Sequence, residues 1–107
     1  MIAVVNRHSY HGKGIYIGRG TIFGNKASHS KYNGVEVLCN SREEAIEWYL
    51  EWLREQWKND GEVKKALLNL ATKHKNGEDI VLICSCKPLP CHGDVIKDAV
   101  EKIAQII

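Results

Sequence analysis

The run "DIVLICSCKPLPCHGDVIKDAV", residues 79–100, decides the fold class. Its first part, "DIVLIC" (79–84), is an unbroken apolar stretch rich in β-branched residues. A strand that is apolar on both faces belongs inside a sheet covered by helices on both sides. Pro88 and Pro90 then interrupt regular structure, because each fixes φ and lacks a backbone N–H. From about Gly93 the period changes. Val95, Ile96, Ala99, Val100, Ile103 and Ile107 fall on one side of a 3.6-residue wheel, as on a helix lying against a core. A buried strand, a stiff turn and an amphipathic helix make the repeating piece of an α/β fold.

Two more helices precede this unit. "SREE" (41–44) is a capping box: the Ser41 hydroxyl can accept from the Glu44 N–H while the Glu44 carboxylate reaches back. Beyond it, Ala45, Ile46, Trp48, Tyr49, Leu50, Trp52, Leu53 and Trp57 share one arc. Glu43, Glu47, Glu51, Arg54, Glu55 and Lys58 share the other. At this spacing the tryptophans read as core rather than as a stacking platform for bases. "NDG" (59–61) ends the helix, and Asp60 is placed to cap a second one over 60–75. Its stripe is Val63, Ala66, Leu67, Leu70 and Ala71, with basic residues in the last turn, where the helix dipole favours them.

Nearer the start, "IAVV" (2–5), "GIYIG" (14–18) and "VEVL" (35–38) read as strands. The intervening "RGTIFGNKASHSKYNG" is too rich in Gly, Asn, Ser and Lys for a regular element. Irregular connections of that length are more often functional than short ones. The pattern predicts one α/β domain over residues 1–107, a small mixed and largely parallel sheet flanked by about three helices.

With 107 residues, 44% hydrophobic content and a net charge of +2, the chain reads as a globular protein with one core. No stretch approaches the roughly 20 apolar residues of a membrane span. "MIAVVNRHSY" lacks the basic and apolar regions of a signal peptide. The expected compartment is the cytoplasm, with reduced cysteines and no structural disulfide. Charge is unevenly placed. Residues 1–40 hold Arg7, Lys13, Arg19, Lys26 and Lys31 against Glu36 alone, with His8, His11 and His29 among them. A basic, glycine-rich first third suits an anionic partner. The modest net charge argues against a groove-binding nucleic-acid protein.

The turn "CSCKPLPCHGD" (84–94) admits several chemistries. Cys84, Cys86, Cys91 and His92 are four candidate metal ligands. Their C-x-C-x4-C-H spacing, however, matches no common zinc pattern, and no metal or cofactor is expected. Cys91 stands at a helix start, where partial positive charge stabilises a thiolate, so Cys91 is a candidate nucleophile and Asp94 a candidate acid–base group. "HGD" at a helix start also offers backbone N–H groups to an anion, with Gly93 permitting close approach. The plainer alternative is a rigid turn with small buried cysteines.

A second candidate lies in "YIGRGTIFGN" (16–25). It is neither a dinucleotide fingerprint nor a P-loop. A strand that runs into "GRG" nevertheless presents Arg19 between Gly18 and Gly20, with Asn25 beyond. "NRH" follows the first strand in the same way. In open α/β sheets, ligands collect beyond the carboxyl ends of strands. If the three strands are parallel, their ends converge. The expected ligand-binding set is Arg7, His8, Gly18, Arg19, Gly20, Asn25, Cys91, His92, Gly93 and Asp94.

"VVNRHSYHGKGIYIGRGTIFGN", "SREEAIEWYLEWL" and "DIVLICSCKPLPCHGDVIKDAV" together resemble a phage and bacterial family catalogued as domain of unknown function 4326. The resemblance covers nearly the whole chain. It carries over Gly18, Arg19, Gly20, Gly24, Asn25, Cys84, Cys86, Pro88, Pro90, Cys91, His92, Gly93 and Asp94. It departs where the family often has Asn-Pro-Phe and this chain has Asn25-Lys26-Ala27. The family name implies no activity. A phage context implies nucleotide chemistry or interference with host signalling. The leading expectation is binding of a small anionic, nucleotide-like ligand, such as a host signalling nucleotide sequestered by a phage protein. The alternatives are a thiol- or carboxylate-dependent enzyme acting on a nucleotide or modified base, and a nucleic-acid-binding domain. No membrane partner is expected.

Overall fold

The structure, a computed structural model, describes residues 1–28 and 36–107. His29, Lys31 and the first residue of the 35–38 run lie outside the described residues. Strand β5 (Ile80–Cys84) occupies the centre of a three-stranded sheet, with β1 (Ile2–Asn6) on one side and β2 (Ile15–Tyr16) on the other. Both pairings are parallel, with Val4 opposite Leu82 and Tyr16 opposite Ile83. The ladder runs one residue beyond each outer strand. Arg7 N–H donates to the Cys84 carbonyl at 2.8 Å and Ile17 N–H to the Ile83 carbonyl at 2.9 Å. All three chains therefore leave the sheet at the same edge.

A separate two-residue pair, β3 (Ala27–Ser28) with β4 (Val37–Leu38), is also parallel. Composition predicts an irregular loop at 27–28. Pairing arises there because Asn25 holds the chain: its Oδ1 accepts from Ala27 N–H at 2.9 Å.

Three helices follow. Helix α1 is Arg42–Lys58, α2 is Glu62–Lys75 and α3 is His92–Ile106. Ser41 caps α1, its hydroxyl accepting from Glu44 N–H at 3.1 Å. The Glu44 carboxylate reaches back to Asn40 N–H at 3.4 Å, one residue further than a capping box requires. Gly61, not Asp60, is the N-cap of α2. The Asp60 carboxylate instead pairs with Lys64 at 3.0 Å.

The core joins Ile2, Ile80, Leu82 and Cys84 of the sheet to Tyr49, Leu53, Leu67, Leu70, Ile96, Val100 and Ile103 of the helices. Trp48, Trp52 and Trp57 pack on it partly buried, and Trp48 stacks on Trp52 at 6.5 Å. Two sequence expectations change. Ile107, placed on the buried stripe, lies beyond the end of α3 and is 40% exposed. The helices cover one face of the sheet rather than two. Ile80, Leu82 and Cys84 enter their core, while Val81 and Ile83 are half-buried on the other face. There the β1–β2 connection approaches, close enough that a Cβ on Gly14 would sit 2.8 Å from Ile83 Cδ1. An apolar run records burial and not what buries it. Among the described residues, no helix is long and apolar enough to cross a membrane.

Candidate functional site

A cavity of about 520 Å³ opens where β2 and β5 end. Its walls come from the 18–28 loop, the first turn of α1 and the turn into α3. Each wall is shaped by a local constraint. The 18–28 loop folds back on itself: a Cβ on Gly24 would sit 2.7 Å from the Gly18 carbonyl oxygen, so only glycine allows the approach. Thr21 Oγ1 closes the bend by donating to that same carbonyl at 2.7 Å. Gly20, at φ 91°, occupies the left-handed region that favours glycine. Arg19 then turns inward, and its Nη2 donates to the Ala27 carbonyl at 3.2 Å. Asn25 is buried and bound at both ends of its amide. Besides accepting from Ala27, it donates from Nδ2 to the Ala45 carbonyl at 3.2 Å, fastening the loop to α1.

The opposite wall begins at Ser85. Asn6 Nδ2 donates to the Lys87 carbonyl at 2.6 Å and ties this turn to the end of β1. Cys91 is the N-cap of α3. Its sulfur accepts from Gly93 N–H at 3.3 Å, while the Asp94 carboxylate accepts from Cys91 N–H at 3.2 Å. Asp94 also holds Lys87 Nζ at 2.6 Å. His92 is buried, with Nε2 2.6 Å from the Ile17 carbonyl, which makes Nε2–H the donor and leaves Nδ1 as the acceptor. Burial pushes the His92 pKa down, and the Arg19 charge adds to this. The imidazole is neutral and packs edge-on to the Tyr49 ring at 4.9 Å. Tyr49 itself anchors the loop from below, donating to the Phe23 carbonyl at 2.7 Å.

Three thiols cluster at this wall, Cys86 and Cys91 lining the cavity and Cys84 buried behind them. Cys91 Sγ donates to Cys84 Sγ at 3.5 Å, and Cys86 and Arg42 line the same cavity as Cys91. The neighbouring Cys91 thiol is the largest influence on Cys86. It outweighs burial and, with Arg42 and the Arg19 charge, brings the Cys86 pKa down to about 6. Cys91 moves the opposite way, because the neighbouring Cys86 and burial both favour its thiol form. The sequence points to Cys91 as the activated thiol, through its place at a helix start. In the folded chain Cys91 caps α3 with its pKa raised, and the lowered pKa falls at Cys86.

Among the described residues, Gly18, Arg19, Asn25, Cys91 and His92 lie in the cavity wall. Arg7, His8, Gly20, Gly93 and Asp94 do not. Arg7 stands behind the wall, with Nη1 donating to Tyr16 Oη at 3.3 Å, and His8 is exposed beside it. Gly93 is packed between α3 and the sheet, where a Cβ would meet Val4 Cγ1 at 2.7 Å. Asp94 is committed to the helix cap and to Lys87. Sequence reasoning missed Tyr16 and Arg42, which also form the wall. Arg42 is the first residue of α1, and on a helical wheel it reads only as another solvent-facing charge. As for a metal, the described residues contain no group of three or more His, Cys, Asp or Glu arranged to hold one. His92 Nε2 is already engaged by Ile17.

A curated relative from Enterobacteria phage T4, described as "Uncharacterized 12.4 kDa protein in nrdA-td intergenic region", is 36% identical over 89 residues. That match spans 83% of this chain and 68% of the phage protein. No solved structure matches significantly. A family model matches residues 4–102, the span that holds the parallel strands, the looped Arg19 segment and the cysteine turn, and the chain belongs to that family, described as Domain of unknown function (DUF4326).

Proposed function

We propose that the chain binds a small anionic, nucleotide-like ligand in the cavity at the carboxyl edge of the sheet. The observation that carries this reading is the meeting of two guanidinium groups, Arg19 and Arg42, in the wall of one cavity of about 520 Å³. They come from different segments, and a planar guanidinium presents a fork of donors matched to phosphate or carboxylate. The cavity volume is within the range of small-molecule sites, roughly 300–1,000 Å³. Helices α1 and α3 both begin at this wall, and their N-terminal ends carry partial positive charge. Tyr16, Ile46, Leu89 and Pro90 supply apolar surface suited to a base or sugar face. With a phage protein among the relatives, the setting we propose is the cytoplasm of an infected cell, with a host signalling nucleotide as the sequestered ligand.

Calorimetric titration tests this with a panel of mono- and dinucleotides, inorganic pyrophosphate and uncharged nucleosides. Phosphate-bearing probes should bind and nucleosides should not. A lost charge-assisted hydrogen bond costs on the order of 1.5–3 kcal/mol. Arg19→Ala and Arg42→Ala should therefore each weaken binding roughly tenfold to a hundredfold. Lys73→Ala, on α2 outside the cavity wall, should change little. Equal losses in Arg19→Ala and Lys73→Ala would reduce the effect to general surface charge. No heat from any phosphate-bearing probe would remove the reading altogether.

A further inference from the structure

The cysteine wall carries a chemistry that does not depend on what the cavity binds. Cys86 and Cys91 both line the cavity, Cys86 partly exposed and Cys91 only 2% exposed, with Cys84 at 1%. Cys91 Sγ in turn donates to Cys84 Sγ at 3.5 Å. We propose that Cys86 is the nucleophilic thiol of the cavity and Cys91 its resolving partner, and that a hydroperoxide oxidises the pair to an intramolecular disulfide.

Three observations support this assignment. Of the three clustered sulfurs, only Cys86 is open enough for an oxidant to approach. It also shares the cavity wall with Arg42, whose charge favours the reactive anion and is placed to attract a hydroperoxide's developing negative charge. And Cys91 lines the same wall five positions along the chain, across a short turn, so bond formation needs only local movement.

The chemistry balances in two steps. The Cys86 thiolate attacks one peroxide oxygen. An S–O bond forms, the O–O bond breaks, and sulfur is oxidised by two electrons to sulfenic acid while the peroxide is reduced to alkoxide or hydroxide. That anion takes the Cys91 proton. The Cys91 sulfur then attacks Cys86, an S–S bond forms and the S–O bond breaks. The departing hydroxide is neutralised by the proton that Cys86 released on ionising. Overall, two thiols and a hydroperoxide give a disulfide, an alcohol or water, and a further water. A dithiol reductant reverses the change. Because the Cys91 sulfur is also the cap of α3, the disulfide redraws the cavity wall.

Peptide mapping after treatment of the reduced, full-length protein with equimolar hydrogen peroxide tests this. The expected product is a Cys86–Cys91 link that dithiothreitol removes, with Cys39 still free. An ordinary thiol is only a few per cent ionised at pH 7, so Cys86 should react at least about tenfold faster than Cys39. Cys91→Ser, which keeps an oxygen at the N-cap, should instead accumulate a sulfenic acid on Cys86 that dimedone traps. Cys86→Ser should form no disulfide at that dose. First modification at Cys39 or Cys84 would overturn the proposal. So would a Cys84–Cys91 link formed equally fast in Cys86→Ser, or a rate for Cys86 no faster than in the denatured chain. The wild-type map alone decides the matter if a variant fails to fold.

Discussion

Two hollows in this molecule differ in how they are made. One is the polar cavity at the strand ends. The other is an apolar groove of about 370 Å³ among the helices, lined by Leu50, Leu53, Trp57, Leu67, Val95 and Ile103. Every one of those six residues lies on a helical stripe whose spacing can be read along the chain. The cavity instead collects single residues from short segments far apart in sequence, Tyr16, Arg19, Arg42 and Cys86 among them. The groove is a by-product of helices packing by their periodicity. The cavity exists only because parallel strands end together and two loops are tied back by Asn25 and Asn6. The lesson is that periodic information specifies apolar surfaces, and aperiodic chemistry becomes a site only through topology.

The largest effect expected from this contrast is a crossed pair of substitutions. Trp57 is partly buried in the groove, with Lys64 Nζ 5.2 Å from its ring. Trp57→Ala should cost about 2–3 kcal/mol of stability, less than for a fully buried aromatic, and leave affinity for phosphate-bearing probes unchanged. Arg42→Ala should do the reverse, since its bond to the protein backbone is a long one, to the Pro90 carbonyl at 3.5 Å. Chemical denaturation and titration of both variants check this. Loss of both properties in both variants would mean that the two hollows are not independent.

A middle-sized effect concerns pH. Burial holds His92 neutral, so the folded chain binds its proton less readily than the unfolded chain. The stabilising contribution is fully present above the unfolded histidine value of about 6.5 and is lost as pH falls below it, because the unfolded chain then takes up a proton that the folded chain resists. Melting curves across that range should show an acid-side decline that flattens in His92→Gln. An unchanged decline would assign the acid sensitivity to other groups.

The smallest effect belongs to Asp94. Its carboxylate caps α3 and pairs with a partly exposed lysine, and it does not line the cavity. Asp94→Asn keeps an acceptor for the Cys91 N–H and loses mainly the ion pair. It should cost less than about 1 kcal/mol. Ligand affinity in the titration should be unaltered. A large affinity loss would bring Asp94 into the site and blur the contrast with Arg42.

Legibility in the sequence followed the same division. The three helices, the central strand and most core positions were readable because burial imposes a period on the chain. The capping serine of α1 was readable because its hydrogen bond is local. The second cap was misassigned by one residue, since Asp60 and Gly61 both suit a helix start and only the backbone path chooses. The pairing of β3 with β4 was not legible, because two-residue strands carry no period. Within the site, Gly18 and Arg19 were visible in the "GRG" following a strand. Arg42 was not, because nothing local separates an arginine that faces a cavity from one that faces water.

By itself, the sequence determined the α/β class, the amphipathic helices, the family and a cysteine-rich turn between strand and helix. These rest on local hydrogen bonding, periodic burial and a motif held in contiguous residues. Only the tertiary structure decided that helices cover one face of the sheet, that Arg19 and Arg42 share a wall, and that the thiol pKa is lowered at Cys86 and raised at Cys91. The physical reason is that a charge or a proton is governed by whatever lies within a few ångströms. Around Cys86 those neighbours are Arg42, more than forty residues earlier in the chain, and Cys91, whose proton is held by burial.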